Sequence, residues 1–211
     1  FSLVVTTPIL DLDNDNATNE FEGITLMSDP LNPDTDKDRI WDMAEFNFWK
    51  WKGGLDDVNA SLNINTQDSD GDGIPDGMEL MIFGSDPSAS DANTEFTLRK
   101  NIVVHDGEIL SIKDMSILFQ SDAANTYGIT VEAGGKLDII NANIDAVDAL
   151  YGYNLDISGK LVVTDSTVSH LASGIVLRSG DVTTSNLTLM DSSLGFVADR
   201  GHVSAGEAAR H

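Results

Sequence analysis

From Glu95 onward the chain is built from short β-branched and apolar runs between glycine-centred turns. The runs beginning Gly107-Glu108-Ile109-Leu110, Gly135-Lys136-Leu137, Gly159-Lys160-Leu161, Gly180-Asp181-Val182 and Gly201-His202-Val203 align. Leu110, Leu137, Leu161, Val182 and Val203 then form one column, with spacings of 27, 24, 21 and 21 residues. Ile112, Ile139, Val163 and Thr184 give a second column, and Ile117, Ile144, Val168 and Leu189 a third. Before each glycine lie Ile102/Val104, Ile129/Val131, Leu155/Ile157, Ile175/Leu177 and Phe196/Ala198. Alternation within each run buries one face of a short strand, and recurrence of the same side-chain order at a rung-length period marks a repeat architecture. Asp114, Asn141, Asp165 and Asn186 stand in register between the second and third columns, where residues tolerant of a left-handed backbone are needed. Three short strands per turn with a shared turn column predict a right-handed parallel β-helix over residues 96–211. A β-sandwich would not keep the side-chain order constant.

The first 95 residues read differently. Phe1 to Leu10 is an apolar, β-branched opening that predicts a strand. Oxygen-bearing residues then recur on a twelve-residue template. Asp68, Asp70, Asp72, Asp76 and Glu79 occupy positions 1, 3, 5, 9 and 12, with Gly73 at position 6 and Ile74 offering its carbonyl at position 7. This is the ligand spacing of an EF-hand-type calcium loop: hard oxygens alternate along a tight turn, and a glutamate closes it with both oxygens. Asp34, Asp36, Asp38, Ile40, Asp42 and Glu45 repeat it with Arg39 at the glycine position. Asp11, Asp13, Asp15, Ala17, Asn19 and Glu22 repeat it with Asn16 there. The side chain at Arg39 costs about 1–2 kcal/mol in a left-handed backbone, so weaker binding is expected in that loop. Asp91 starts the pattern again and abandons it, as a degenerate last repeat able to lend ligands to the loop before it.

A helix is expected to leave Glu45 with Ala44, Phe48 and Trp51 on one face and to stop at Gly53-Gly54. A second, Leu80 to Phe83, should end at Gly84 and pack against it. Trp49 and Trp51 would anchor this small module, or alternatively stack on sugars.

Charge sharpens the division. The formal net charge is −23, with 20 acidic against 4 basic residues before Glu95 and 15 against 8 afterwards. Such a balance excludes counterion-release binding to nucleic acid and points toward cations. Cysteine is absent, which removes disulfides and thiolate metal sites. No apolar run reaches the ~20 residues of a membrane span.

The stretches SDPLNPDTDKDRIWDMAEF and DSDGDGIPDGMELMIFGSDP resemble thrombospondin type-three-like calcium repeats, and dockerin modules use related loops. The resemblance covers residues 11–95 and implies an extracellular location and calcium-dependent rigidity. The second half resembles the β-helix family that includes pectate lyases and many microbial surface proteins, a likeness that speaks to architecture and not to activity. The expected fold is thus mainly β: a right-handed parallel β-helix (96–211) preceded by a small loop-rich, calcium-binding domain with short helices (1–95).

Up to three Ca2+ ions are expected as cofactors, in a non-enzymatic structural module of a surface, sheath or filament-like assembly or an adhesin. The last rung lacks a cap, so self-association or continuation into a longer chain is expected. Glycan binding is one alternative. A polysaccharide lyase or hydrolase is the other, with Arg178 and Arg200 the candidate bases beside single acids, Asp156 and Asp199. His105, His170 and His202 are scattered without evident partners. The charged column Glu108, Lys136, Lys160, Asp181 and His202 reads as a solvated ladder.

Overall fold

The computed structural model describes residues 10–52, 62–192, 195–198 and 202–205. The opening run 1–9, the glycines at 53–54, Asp199 and Arg200 lie outside them, as do the side chains of Trp49, Trp51 and His202. The second half is a parallel β-helix. One face stacks β3 (Ile109–Lys113), β6 (Lys136–Ile140), the first half of β9 (Lys160–Ser169), the first half of β11 (Asp181–Met190) and β13 (His202–Ala205). A second stacks β1 (Glu95–Leu98), β4 (Ser116–Phe119), β7 (Asn143–Ala146) and the second halves of β9 and β11. The third stacks β2 (Ile102–Val104), β5 (Gly128–Val131), β8 (Tyr153–Ile157), β10 (Leu171–Leu177) and β12 (Phe196–Ala198). These pairings are all parallel, and the register joins the columns read from the sequence, Leu110 to Leu137 to Leu161 to Val182 to Val203.

Period-2 alternation points one side of every rung inward, so Leu110, Ile112, Ile117, Ile129, Leu137 and Ile144 are fully buried or nearly so. Each such side chain contributes about 1.5–3 kcal/mol by leaving water. Phe119 stacks on Tyr153 at 5.0 Å, and the buried Tyr153 hydroxyl donates to the Ile144 carbonyl at 3.0 Å. The Asp/Asn column turns the chain between faces, with φ of 54°, 48°, 49° and 51° at Asp114, Asn141, Asp165 and Asn186. Asn93, at φ 68°, extends it by one member, its N–H donating to the Asp114 carbonyl at 2.7 Å.

Lys136, Lys160, Asp181 and His202 stand in register as expected, but Glu108 does not join them. The first rung has one residue more between its glycine and Leu110 than later rungs do. Ile109 therefore pairs with Lys136, and Glu108 turns inward to 3% exposure. Lys136 then faces Lys160 in register and bonds instead to Asp138 at 2.5 Å.

The acidic half holds α1 (Asn19–Phe21), α2 (Asp42–Lys52) and α3 (Asp76–Met78). The first and third run on as wide π-type turns, Glu22–Leu26 and Glu79–Phe83, ended by left-handed Met27 and Gly84. Ala17, Leu26 and Ile64 form a small core with Phe21, Met43 and Phe46, Phe21 meeting Phe46 edge-on at 5.2 Å. The face that α2 buries is thus that of Asp42, Glu45 and Phe46, while Ala44 is exposed, because Glu45 must turn toward its loop. The residues after Glu79 also differ from expectation. Ile82 and Phe83 pack on the β-helix core, with Phe83 edge-on to Phe96 at 4.9 Å, and Ile74 and Met78 lie fully buried within that core.

Candidate metal centre

The three twelve-residue loops have one backbone solution. Positions 4 and 6 are left-handed in each: Asn14 and Asn16 (65°, 77°), Lys37 and Arg39 (68°, 87°), Gly71 and Gly73 (80°, 106°). The position-1 carboxylate takes the position-4 N–H at 2.7–2.8 Å, as in Asn14 to Asp11, Lys37 to Asp34 and Gly71 to Asp68. The position-5 carboxylate takes the position-7 N–H: Ala17 to Asp15 at 2.6 Å, Ile40 to Asp38 at 2.7 Å and Ile74 to Asp72 at 2.9 Å. The position-9 side chain closes the loop by accepting the position-2 N–H, at 3.1 Å for Asn19 and 2.8 Å for Asp42 and Asp76. Folding therefore uses both oxygens of Asp34 and Asp68 on the turn, but only Oδ1 of Asp13, Asp36 and Asp70 at position 3.

Carboxylate oxygens converge in each loop. Asp11, Asp13 and Asp15 bring one oxygen each within 4.8 Å of one another, as do Asp34, Asp36 and Asp38, and Asp68, Asp70 and Asp72. Glu22, Glu45 and Glu79 at position 12 are fully buried. Both carboxylate oxygens of Glu22 and Glu45, and Oε2 of Glu79, have no hydrogen-bond partner, nor do Oδ2 of Asp13, Asp36 and Asp70 at position 3. Burial first, then the neighbouring carboxylates, raises Glu22 to about 7, Glu79 to about 9 and Glu45 to about 10. The same causes lift Asp36 to about 7 and Asp38 to about 8, although backbone N–H bonds oppose the rise. Charges so placed stay buried only when protonated or when a cation lies among them.

The loops are also joined to one another. Asp15 and Glu22 of the first gather with Asp42 of the second, and Asp38 and Glu45 of the second with Asp76 of the third. Position 9 of each later loop thereby reaches the cluster of the loop before it. The following N–H comes too, Met43 donating to Asp15 Oδ2 and Gly77 to Asp38 Oδ2, both at 3.2 Å. Asp91 takes this part for the third loop: its N–H donates to Asp72 Oδ2 at 2.6 Å, and its own Oδ2 is buried without a partner.

The second and third loops cover the starting edge of the β-helix. The edge N–H of Ser111 donates to the Gly73 carbonyl at 2.7 Å, and that of Ile109 to Gln67 Oε1 at 3.2 Å. Gln67 Nε2 in turn donates to the carbonyls of Asp36 (2.7 Å) and Gly107 (3.0 Å). Arg39 has its N–H on Asp34 Oδ2 at 2.9 Å, while its guanidinium holds Glu108 through Nε (2.5 Å) and Nη2 (2.7 Å) and also donates to the Val103 carbonyl. Glu108, which also accepts the His105 N–H at 2.7 Å, is thus a buried carboxylate with partners. A side chain at Gly73 would strike Ser111, and one at Gly77 would strike the Asp38 carbonyl. Sequence reasoning saw Arg39 only as a misfit at a glycine position, and it missed Gln67, which carries no motif.

Two histidines do have partners, contrary to expectation. His105 Nδ1 lies 3.0 Å from Glu132 Oε2, and His170 Nδ1 lies 2.7 Å from Asp145 Oδ1. Arg178 meets Asp156 at 2.9 Å. No helix among the described residues is long and apolar enough to cross a membrane. A polar groove of about 370 Å³ runs beside the turn column, lined by Asn93, Glu95, Asp114, Ser116, Asn141 and Asn143 among others. Comparison with protein families, with curated proteins and with solved structures returned no match, so the loops are read from their own geometry.

Proposed function

We propose that the three acidic loops bind calcium, and that the bound ions hold a structural module rigid against the start of the β-helix. The observation that carries this reading is the trio Glu22, Glu45 and Glu79, buried carboxylates that mostly lack hydrogen-bond partners. A carboxylate offering two free oxygens at position 12, above a cluster of three further oxygens, suits a hard ion of high coordination number. The donors are all oxygen, with neither thiolate nor imidazole among them, which favours calcium over softer ions. Asp11, Asp13, Asp15 and Glu22 would hold the first ion, Asp34, Asp36, Asp38 and Glu45 the second, and Asp68, Asp70, Asp72 and Glu79 the third. Asp42, Asp76 and Asp91 would tie each loop to its predecessor. The template match and this sharing between consecutive loops support a likeness to thrombospondin type-three repeats.

The role is mechanical and not catalytic. Calcium at millimolar concentration, as found outside cells, would neutralise part of the −23 charge and let the loops close. An extracellular place in a surface, sheath or filament-like assembly or an adhesin follows from that dependence. Calorimetric titration of chelator-treated protein tests the reading: saturable calcium binding weakened by Glu79→Gln is expected, and heat-silent titration with unchanged melting would overturn it. A second reading rests on the polar groove. Its amides, hydroxyls and carboxylates would suit a neutral saccharide, and glycan-array binding lost on Asn143→Leu would favour it.

A further inference from the structure

A second kind of metal chemistry is built into the far half of the molecule. His170 occupies the bend between β9 and β10 with φ 55°, and Asp191, at φ 50°, follows β11 one rung on. The two turns are stacked, with the His170 N–H donating to the Met190 carbonyl at 3.1 Å. On the preceding rung, Asp145 Oδ1 lies 2.7 Å from His170 Nδ1 and also accepts the Ala146 N–H at 2.7 Å. With Oδ1 already accepting the Ala146 N–H, the bond to His170 is made by the proton on Nδ1, and that tautomer presents its lone pair at Nε2. Nε2 faces Asp191 Oδ2 at 3.9 Å, too far for a hydrogen bond and close enough for one ion to bond both.

We infer that His170 Nε2 and Asp191 form a surface site for a divalent transition ion such as Zn2+, with Asp145 as the positioning residue that fixes the tautomer. Imidazole selects borderline ions that the all-oxygen loops do not favour, and a carboxylate on the opposite ring nitrogen is the usual support of a metal-bound histidine. Solvent completes the coordination, since Asp191 is largely exposed. The site joins consecutive rungs, so its ion would bridge β9–β10 to the end of β11. This inference is independent of the loops' occupancy.

The test is a Zn2+ titration of the full chain in excess calcium, followed by calorimetry and by imidazole 15N resonances. The expected result is one equivalent bound with a shift at His170 Nε2 while Nδ1 keeps its proton. H170Q should abolish that equivalent, and D145N should weaken it by about 10–100-fold, the usual loss for a supporting carboxylate. Circular dichroism of both variants controls for folding, and D191N, an exposed change, provides a variant that folds regardless. Wild-type protein whose His170 resonances ignore Zn2+, or H170Q and D191N proteins that titrate as wild type does, would overturn the assignment.

Discussion

The acidic loops and the β-helix turn column both bend the chain through left-handed residues, and differ in what their carboxylates meet. The column turns at left-handed Asp and Asn, and the loops turn at left-handed Asn, Lys, Arg or Gly set between their aspartates. In the β-helix, Asn141 Nδ2 donates to Asp114 Oδ1 at 2.7 Å, and Asn186 Nδ2 to Asp165 Oδ1 at 2.8 Å, so amide and carboxylate alternate and satisfy one another. In the loops, carboxylate meets carboxylate, and oxygens at positions 3 and 12 stay buried without partners. The turn column satisfies its own carboxylates. The loops' buried oxygens need a proton or a cation.

The largest expected effect separates the two regions by their need for cation. At free calcium 100-fold above the dissociation constant, each occupied site adds about 2.7 kcal/mol. Chelation should therefore lower the melting temperature and open residues 10–91 to protease while the β-helix persists; a melting curve unchanged by chelator would remove the contrast. The pH dependence carries a definite sign. Without cation, the folded protein holds protons on Glu22 and Asp36 up to about 7, on Glu79 to about 9 and on Glu45 to about 10. Unfolded carboxylates release theirs near 4, so this contribution to stability is full below that value, declines above it and is lost as pH rises through about 7 to 10. Calcium reverses the slope, because the ion competes with those protons. Thermal melts at about pH 5 and about pH 8, with chelator and with calcium, should cross.

Leu137→Ala should cost about 2–5 kcal/mol in denaturant melts, equally with and without calcium, since its cavity lies inside the self-sufficient region. Arg39→Ala should come next, at about 3 kcal/mol, because it strands the buried Glu108. Its further signature is a loosened second loop, read as weaker calcium binding there. Should Arg39→Ala leave both quantities unchanged, the coupling between loop and helix is absent. The smallest change is the most diagnostic: Asn141→Asp sets like charges beside both Asp114 and Asp165 and should cost about 1 kcal/mol, about half of it recovered by adding Asp114→Asn, which leaves Asp165 as the one like neighbour. Failure of the double variant to recover would mean that the alternation of amide and carboxylate is not what stabilises the column.

Much of this was legible in the sequence because it repeats. A column such as Leu110, Leu137, Leu161 and Val182 fixes strand, face and register together, and the Asp/Asn column fixes the turn. The loops were legible for the same reason, down to the left-handed backbone at Asn16, Arg39 and Gly73. What escaped was the single-copy contact. Glu108 left its apparent ladder because one extra residue shifts the first rung's register. Gln67 and the guanidinium of Arg39 act across chain separations of 40 residues or more, which no local pattern encodes. Likewise, Asp145 and His170 meet because rungs stack, so their pairing is visible only once the rung length is known.

The covered edge of the first rung gives the solenoid a direction. Gly73, Gln67 and Arg39 occupy the N–H groups of Ser111 and Ile109 and the carbonyl of Val103. A strand edge with its donors taken cannot template another strand. Lengthening by strand addition is therefore barred along β3 for as long as the loops stay folded. Pairing through this strand would first require the second and third loops to come away from it.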